Sequence, residues 1–284
     1  MMNDFAKRVN RKIYQSLFGE DAWVRKNEGF RAQERFGIIE RPNYVYGMLR
    51  AADCAKYFGL RRVTAIEFGV ASGAGLLNLI EVARLIEEET GVAFNIVGFD
   101  TGAGLPQVVG FKDHPEIWNP GDFTMEDREG LIRKLNGRAT VIWGDIAQTI
   151  GLFTESITAA EPIGFISIDV DIYSATKSAL RCLTQASEKC TPAVSMYFDD
   201  VSFFFANKWS GELAAIGEFN NENELRKIDH DRSLTLNRRP KPAGWYSSMY
   251  VCHILDHPAR SNTVQRSKLT IGEHAEFMNS RFLF

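Results

Sequence analysis

Ala65-Ile66-Glu67-Phe68-Gly69-Val70-Ala71-Ser72-Gly73-Ala74-Gly75 closes a short apolar run that begins at Val63 and leads into a Leu-rich stretch. Three closely spaced glycines mark a sharp turn, where the backbone passes near another group that a Cβ would obstruct. Leu76, Leu79, Ile80, Ala83 and Ile86 then share one helical stripe, which Gly91 ends after Glu87-Glu88-Glu89. Strand, glycine turn and helix open a βαβ unit, and the texture repeats downstream. Further strand candidates are Phe94–Phe99, Thr140–Trp143, Ile163–Val170, Ala193–Phe198, Ser233–Leu236 and Trp245–Ile254. The run at Val63–Phe68 and the next four are short and almost continuously apolar, as strands covered on both faces should be. The pattern predicts an α/β chain with a doubly wound, mostly parallel, seven-stranded sheet.

Residues 1–60 have a different texture. They read as amphipathic helix broken at Gly19, Gly29 and Gly37, with Pro42 starting a helix that ends near Gly59. The expected organisation is a helical N-terminal extension or cap over 1–60, one α/β domain over 61–257, and a tail over 258–284. Phe277, Met278, Phe282, Leu283 and Phe284 make that tail apolar, which predicts docking on the core or on a partner subunit of a homo-oligomer. Residues 102–125 are irregular and rich in Gly and Pro, as lids and binding loops often are.

A net charge of −3 conceals +5 over residues 1–61, −10 over 62–200 and +2 over 201–284. An acidic centre is a poor nucleic-acid surface and a suitable place for a divalent cation. With 45% hydrophobic residues the chain can build a large core, which excludes disorder. The four cysteines show no metal spacing, the N-terminus lacks a signal-peptide core, and no run approaches about 18 apolar residues. A cytoplasmic protein that does not engage membranes is expected.

The acids carry the chemistry. Glu67 stands two residues before Gly69, where a pyrophosphate-binding turn avoids negative charge; the spacing is not GxGxxG, and no P-loop Lys-Ser/Thr follows. An acid there suits a cationic or amine-bearing ligand, and S-adenosylmethionine has both a sulfonium and an α-amino group. Asp100 ends the second strand, where an acid can accept from both ribose hydroxyls. The alternative is that the glycines serve strand–helix packing and Asp100 is a turn acid. Ile168-Asp169-Val170-Asp171 and Phe198-Asp199-Asp200 end the fourth and fifth strands, 30 residues apart from Asp169 to Asp199. One crossover would bring these four carboxylates to the same rim, where they repel unless a cation or protons intervene. All-oxygen ligands favour Mg²⁺, Mn²⁺ or Ca²⁺. Helix capping is the competing explanation, with Asp171 and Asp200 as good cap types.

In this order the motifs resemble the macrocin-type sugar O-methyltransferase family, a branch of the class I S-adenosylmethionine-dependent methyltransferases with a Rossmann-like fold. Glu67–Gly73 resembles its E-x-G-V-x-x-G turn, and Asp100-Thr101-Gly102-Ala103-Gly104-Leu105-Pro106 its D-S-F-x-G-L-P segment. Ile168–Thr176 resembles its L-D-G-D-L-Y-x-S-T segment, Asp199-Asp200 its paired aspartates, and Gly211–Phe219 the helix that follows. Val170 replaces the usual Gly between the paired acids, and Gly102 replaces an aromatic. The resemblance spans roughly residues 60–220.

It implies that Glu67 and the turn containing Gly69, Ala71, Ser72, Gly73 and Gly75 hold the methionine end of S-adenosylmethionine. Asp100, with Thr101 beside it, would hold the ribose, and Asp145 would reach the adenine amine or merely cap a helix. Asp169, Asp199 and Asp200 would bind a divalent cation, Mg²⁺ foremost, that orients the hydroxyl of a sugar or other small hydroxylated acceptor. Asp169 and Asp171 would be the catalytic residues. Asp171 is the candidate base, two positions beyond Asp169 and so on the same side of the pleat. His253 and His257 read as structural. The competing functions are a metal-independent methyltransferase with an N or O acceptor, an NAD-type oxidoreductase, and a non-catalytic binding protein.

Overall fold

The computed structural model describes residues 11–12, 14–17, 19–234 and 241–261. The five apolar runs form strands β1 (Arg62–Phe68), β2 (Ala93–Asp100), β3 (Thr140–Trp143), β4 (Ile163–Ile168) and β5 (Cys190–Phe198). With β6 (Arg226–His230) and β7 (Met249–Ile254) they build one seven-stranded sheet in the order β3-β2-β1-β4-β5-β7-β6. β1 to β5 pair in parallel, whereas β7 is antiparallel to both β5 and β6. The topology reverses between β1 and β4, which is where an open α/β sheet leaves a crevice for ligand.

The helices that follow residue 19 are α1 (Glu20–Asn27), α2 (Phe30–Phe36), α3 (Pro42–Tyr57), α4 (Ala74–Thr90), α5 (Arg128–Leu135), α6 (Ile146–Ser156), α7 (Tyr173–Leu180) and α8 (Gly211–Glu222). Alternation along the strands sorts the core into two layers. Ile66, Phe68, Ile166, Ile168, Met196 and Phe198 meet α6, α7 and α8 on one face. Val63, Ala65, Phe165 and Tyr197 meet α3, α4 and α5 on the other. The helix α3 belongs to the core itself, because Tyr44, Val45, Met48, Ala51 and Ala52 are fully buried against β1, β4 and β5.

Local chemistry sets the helix ends. Pro42 occupies the first turn of α3, where its missing N–H costs nothing. Gly91 closes α4 in the left-handed conformation, as the sequence pattern predicts. The segment 102–125 contains only a short 3₁₀ turn at Phe111–Asp113. It is tied down by Asp113, which is fully buried and accepts from the N–H groups of Val109 (2.7 Å) and Ser174 (2.8 Å).

Three strand expectations need correction. Arg232–Leu234 is a turn, and the remainder of the expected strand Ser233–Leu236 lies outside the described residues. The sixth strand is instead Arg226–His230, whose charged side chains hide it because only Ile228 is buried. The seventh begins at Met249, since Gly244–Ser248 is a 3₁₀ turn. β4 stops at Ile168, so Asp169 and Val170 belong to the turn beyond it. The apolar tail residues Phe277–Phe284 lie outside the described residues.

The closeness of α3 to the sheet is testable at Gly47. A Cβ there would lie 2.3 Å from Cε2 of Phe165, a ring with no exposure and no room to retreat. Helix propensity favours Ala over Gly by about 1 kcal/mol, whereas overpacking costs up to about 3 kcal/mol. Gly47→Ala is therefore expected to destabilise by ~2 kcal/mol, read from chemical denaturation; an unchanged midpoint would contradict the packing.

Candidate active site

All five parallel strands point their C-terminal ends at one rim, and a cavity of about 830 Å³ opens there. The turns after them contribute Gly69 and Ala71 (β1), Asp100 and Thr101 (β2), Asp145 (β3), Asp169 and Asp171 (β4), and Asp199 and Asp200 (β5). Leu105, Pro106, Val109, Trp118 and Phe123 of the long loop supply an apolar wall. Of the residues expected to contact a cofactor, Glu67, Ser72, Gly73 and Gly75 do not line the cavity.

The glycines of the first turn are required by contacts within the protein. A Cβ on Gly69, which has φ +87°, would fall 1.7 Å from the Asp169 carbonyl oxygen. On Gly73 it would meet Leu131 at 2.2 Å, and on Gly75 the Glu67 carboxylate at 1.9 Å. The turn after β1 is thereby pressed against the turn after β4 and against its own acid. Ala71 and Ser72 are exposed at its apex, Ala71 with the unusual φ of +45°.

Glu67 is 2% exposed. Its Oε1 accepts from the Tyr44 hydroxyl at 2.7 Å, and Ser167 Oγ donates to that same hydroxyl at 3.0 Å. Its Oε2 is buried without a partner. Burial pushes the carboxyl up to about 8, against the pull of the Tyr44 hydrogen bond and with the push of the Asp169 charge. Tyr44, the partner of Glu67, carries no mark in the sequence, because a tyrosine on an amphipathic helix reads as core.

Asp100 organises the same turn. Its Oδ2 accepts from the N–H groups of Val70 and Ala71, both at 2.9 Å, and its Oδ1 from Gly102 N–H at 2.6 Å. The turn-acid role is thus realised while the residue also lines the cavity. The Thr101 hydroxyl donates to the Gly104 carbonyl (2.8 Å), and Asp145 caps α6 by accepting from Ala147 N–H (2.7 Å).

Asp169, Asp199 and Asp200 converge so that one carboxylate oxygen from each lies within 4.8 Å of the others. Burial pushes Asp169 up to about 7, reinforced by the charges of Asp199 and Asp200. Asp200 rises to about 6 by burial and then by Asp199. Tyr197 donates its hydroxyl to Asp199. Asp200 donates its backbone N–H to Oε2 of Glu212 at 2.9 Å. Glu212 is fully buried, and burial holds its carboxyl well above the usual range. Glu212 Oε1 and Asp200 Oδ2 both lack partners. The sequence shows Glu212 only as one acid in a helix; its burial comes from the packing of α8.

Asp171 lies in the cavity wall beside this cluster, but the pleat argument for it fails because β4 ends three residues earlier. Asp171 sits instead at φ +62° in a tight turn closed by Ile172 N–H donating to the Val170 carbonyl at 2.6 Å. Such a conformation is strained for a residue with a Cβ. Burial, then Asp200 and Asp169, push its carboxyl up to about 8. The turn, and not strand periodicity, aims it. His253 pairs with Ala193 at the opposite end of β5, His257 accepts from Ala259 N–H, and neither lines the cavity.

No family model matches the chain, and no curated protein matches it by sequence. Among solved structures it is similar to CalS11, a calicheamicin methyltransferase, at 16% identity over 89% of this chain and 94% of that one, with a TM-score of 0.50. The fold is that of the class I methyltransferases. The O-methyltransferase NovP is also similar, at 14% identity over 66% of this chain and 75% of that one, with a TM-score of 0.48.

Crowded acids make stability depend on pH. A carboxyl whose pKa is higher folded than unfolded keeps its proton longer when folded. Its contribution is intact below the unfolded value and is lost as pH rises toward the folded one. Glu67, Asp169, Asp171 and Asp200 all shift this way. The chain in chelator should therefore melt at progressively lower temperature between about pH 5 and pH 8. Millimolar Mg²⁺ should raise the melting temperature at pH 8 and barely change it at pH 5. A melting profile flat across this window, with no Mg²⁺ effect, would contradict the assignment.

Proposed function

We propose that the protein is an S-adenosylmethionine-dependent O-methyltransferase whose acceptor hydroxyl, on a sugar or other small hydroxylated metabolite, is oriented by a divalent cation. The observation that carries this reading is the convergence of Asp169, Asp199 and Asp200 in a cavity that the glycine turn and Asp100 also line. The donor set fits a hard cation, being all oxygen with the buried Oδ2 of Asp200 still unpartnered. None of the three acids caps a helix through its side chain, which favours ligation over the capping alternative. Against an NAD-type reading, no lysine or arginine lines the cavity among the described residues to meet a pyrophosphate.

When bound, S-adenosylmethionine supplies an electrophilic methyl carbon, and a cation held by Asp169, Asp199 and Asp200 acidifies the acceptor hydroxyl. The chain's own work is alignment, proton transfer and exclusion of water. Gly69 and Ala71, in a turn that rests on the buried Glu67, hold the methionine end, Asp100 the ribose, and Asp145 the side of the adenine. Asp171 accepts the hydroxyl proton at its carboxylate, and its upward shift toward neutrality suits that task. Tyr197 fixes Asp199, while Trp118 and Phe123 offer aromatic surface to the apolar face of an acceptor and keep water from the reacting atoms. Such an in-line displacement gains most from positioning.

An acceptor screen read by formation of S-adenosylhomocysteine tests the proposal. Activity should vanish in EDTA, return with Mg²⁺, and be lost in Asp199→Asn and Asp200→Asn. Asp171→Asn should lower kcat by roughly 10²- to 10⁴-fold with little change in S-adenosylhomocysteine affinity. Full activity in EDTA would remove the cation from the mechanism.

A further inference from the structure

Asp199 and Asp200 are joined by one peptide group, whose N–H is that of Asp200. This N–H donates to Oε2 of Glu212 at 2.9 Å. A peptide group is planar, so a bond to its N–H helps to set the direction in which both flanking Cα atoms, and the carboxylates they carry, leave it. Asp200 has φ −97° and ψ 27°, which is not helical although the residue lies within the 3₁₀ turn Asp199–Val201. That conformation falls near the sparsely populated bridge region. Glu212 is fully buried and its Oε1 has no partner, so the Asp200 N–H is the one donor to this carboxyl among the described residues. Glu212 does not line the cavity.

Glu212 is itself firmly held. It stands in the first turn of α8, a helix whose Ala215, Ile216 and Phe219 are buried in the core. The start of that helix is fixed by His114 of the long loop, whose Nε2 lies 2.8 Å from Ser210 Oγ. Gly211 has φ +59°, and a Cβ there would come within 3.3 Å of the His114 ring. On the other side, the Tyr197 hydroxyl donates to the Asp199 carboxylate. Tyr197 thus orients one side chain, and Glu212 the peptide from which two side chains spring. We propose that Glu212 is a positioning residue that clamps the Asp199–Asp200 peptide so that both carboxylates face the same cation as Asp169. This rests on the cation reading of the site and adds to it a residue that touches neither cation nor acceptor. The clamp works through one backbone hydrogen bond, so it requires an acceptor oxygen at this place and not a charge. Groups that orient metal ligands in this way commonly alter metal affinity by about 10- to 100-fold when they are removed.

Calorimetric titration of the full chain with Mn²⁺ at saturating S-adenosylhomocysteine, and with S-adenosylhomocysteine in EDTA, tests the clamp. Glu212→Leu, which keeps the bulk and removes the acceptor, should weaken Mn²⁺ binding by roughly 10- to 100-fold and leave S-adenosylhomocysteine affinity unchanged. Glu212→Gln, which keeps an acceptor oxygen and removes the charge, should bind Mn²⁺ close to the wild-type affinity. Should Glu212→Leu not fold, Glu212→Asp, which withdraws the acceptor by one methylene, should show the loss instead. Wild-type Mn²⁺ affinity in the variant that lacks or withdraws the acceptor would overturn the proposal. Equal weakening of Mn²⁺ and S-adenosylhomocysteine would also overturn it, by showing that Glu212 only supports the fold. A loss in Glu212→Gln as large as in Glu212→Leu would overturn it too, since charge and not the hydrogen bond would then be at work. A wild-type chain that binds S-adenosylhomocysteine and no Mn²⁺ would contradict the cation reading, and the clamp with it.

Discussion

Carboxylates gathered in a partly buried space repel one another and resist losing their water, and the architecture of this chain is organised around holding several of them together. Asp169, Asp199 and Asp200 meet at the ends of β4 and β5, Asp171 stands beside them, and Glu67 and Glu212 are buried behind. The compensating groups are specific. Tyr44 and Ser167 serve Glu67, Tyr197 serves Asp199, and three backbone N–H groups serve Asp100. The partners still missing are those of Glu67 Oε2, Asp200 Oδ2 and Glu212 Oε1. Of the three residues only Asp200 lines the cavity, while Glu67 and Glu212 are buried behind its wall.

The first and fourth strand ends are mechanically joined. Gly69 packs on the Asp169 carbonyl so closely that no side chain fits between them, and Asp169 N–H donates to the Phe68 carbonyl at 2.9 Å. The turn proposed to hold the cofactor and the acid proposed to hold the cation therefore share one rigid contact. That linkage suits methyl transfer, in which donor carbon and acceptor oxygen must be held in line. The N-terminal helix α3 extends the linkage, since Tyr44 reaches both Glu67 and Ser167 from a helix packed across β1, β4 and β5.

Much of this was legible in the sequence, for reasons particular residues show. The runs at Val63–Phe68, Ile163–Ile168 and Ala193–Phe198 stand out because strands buried on both faces are nearly continuously apolar, whereas Thr140–Trp143, at the sheet's edge, is apolar without being fully buried. The acids at the rim stand out because each interrupts such a run. β6 was hidden, because Arg226, Lys227, Asp229 and His230 leave one buried residue and no period to detect. The reason for the glycines was half hidden: the pattern shows that something comes close, and only the packing shows Asp169, Leu131 and Glu67. Tyr44 and Glu212 carry no local signal, since their roles arise from segments distant in sequence. Asp171 was found by a mistaken route, as a tight turn and not the pleat brings it to the cavity.

On the proposed function, the acids at the ends of β4 and β5 tolerate their crowding because they hold a cation next to the cofactor. A crystal structure of the chain grown with S-adenosylhomocysteine and Mn²⁺, with anomalous scattering to locate the metal, tests it most directly. One anomalous peak is expected within coordination distance, about 2.2 Å, of oxygens from Asp169, Asp199 and Asp200, with S-adenosylhomocysteine along the turns after β1 and β2. A bound cofactor with no anomalous peak among these three acids would contradict it.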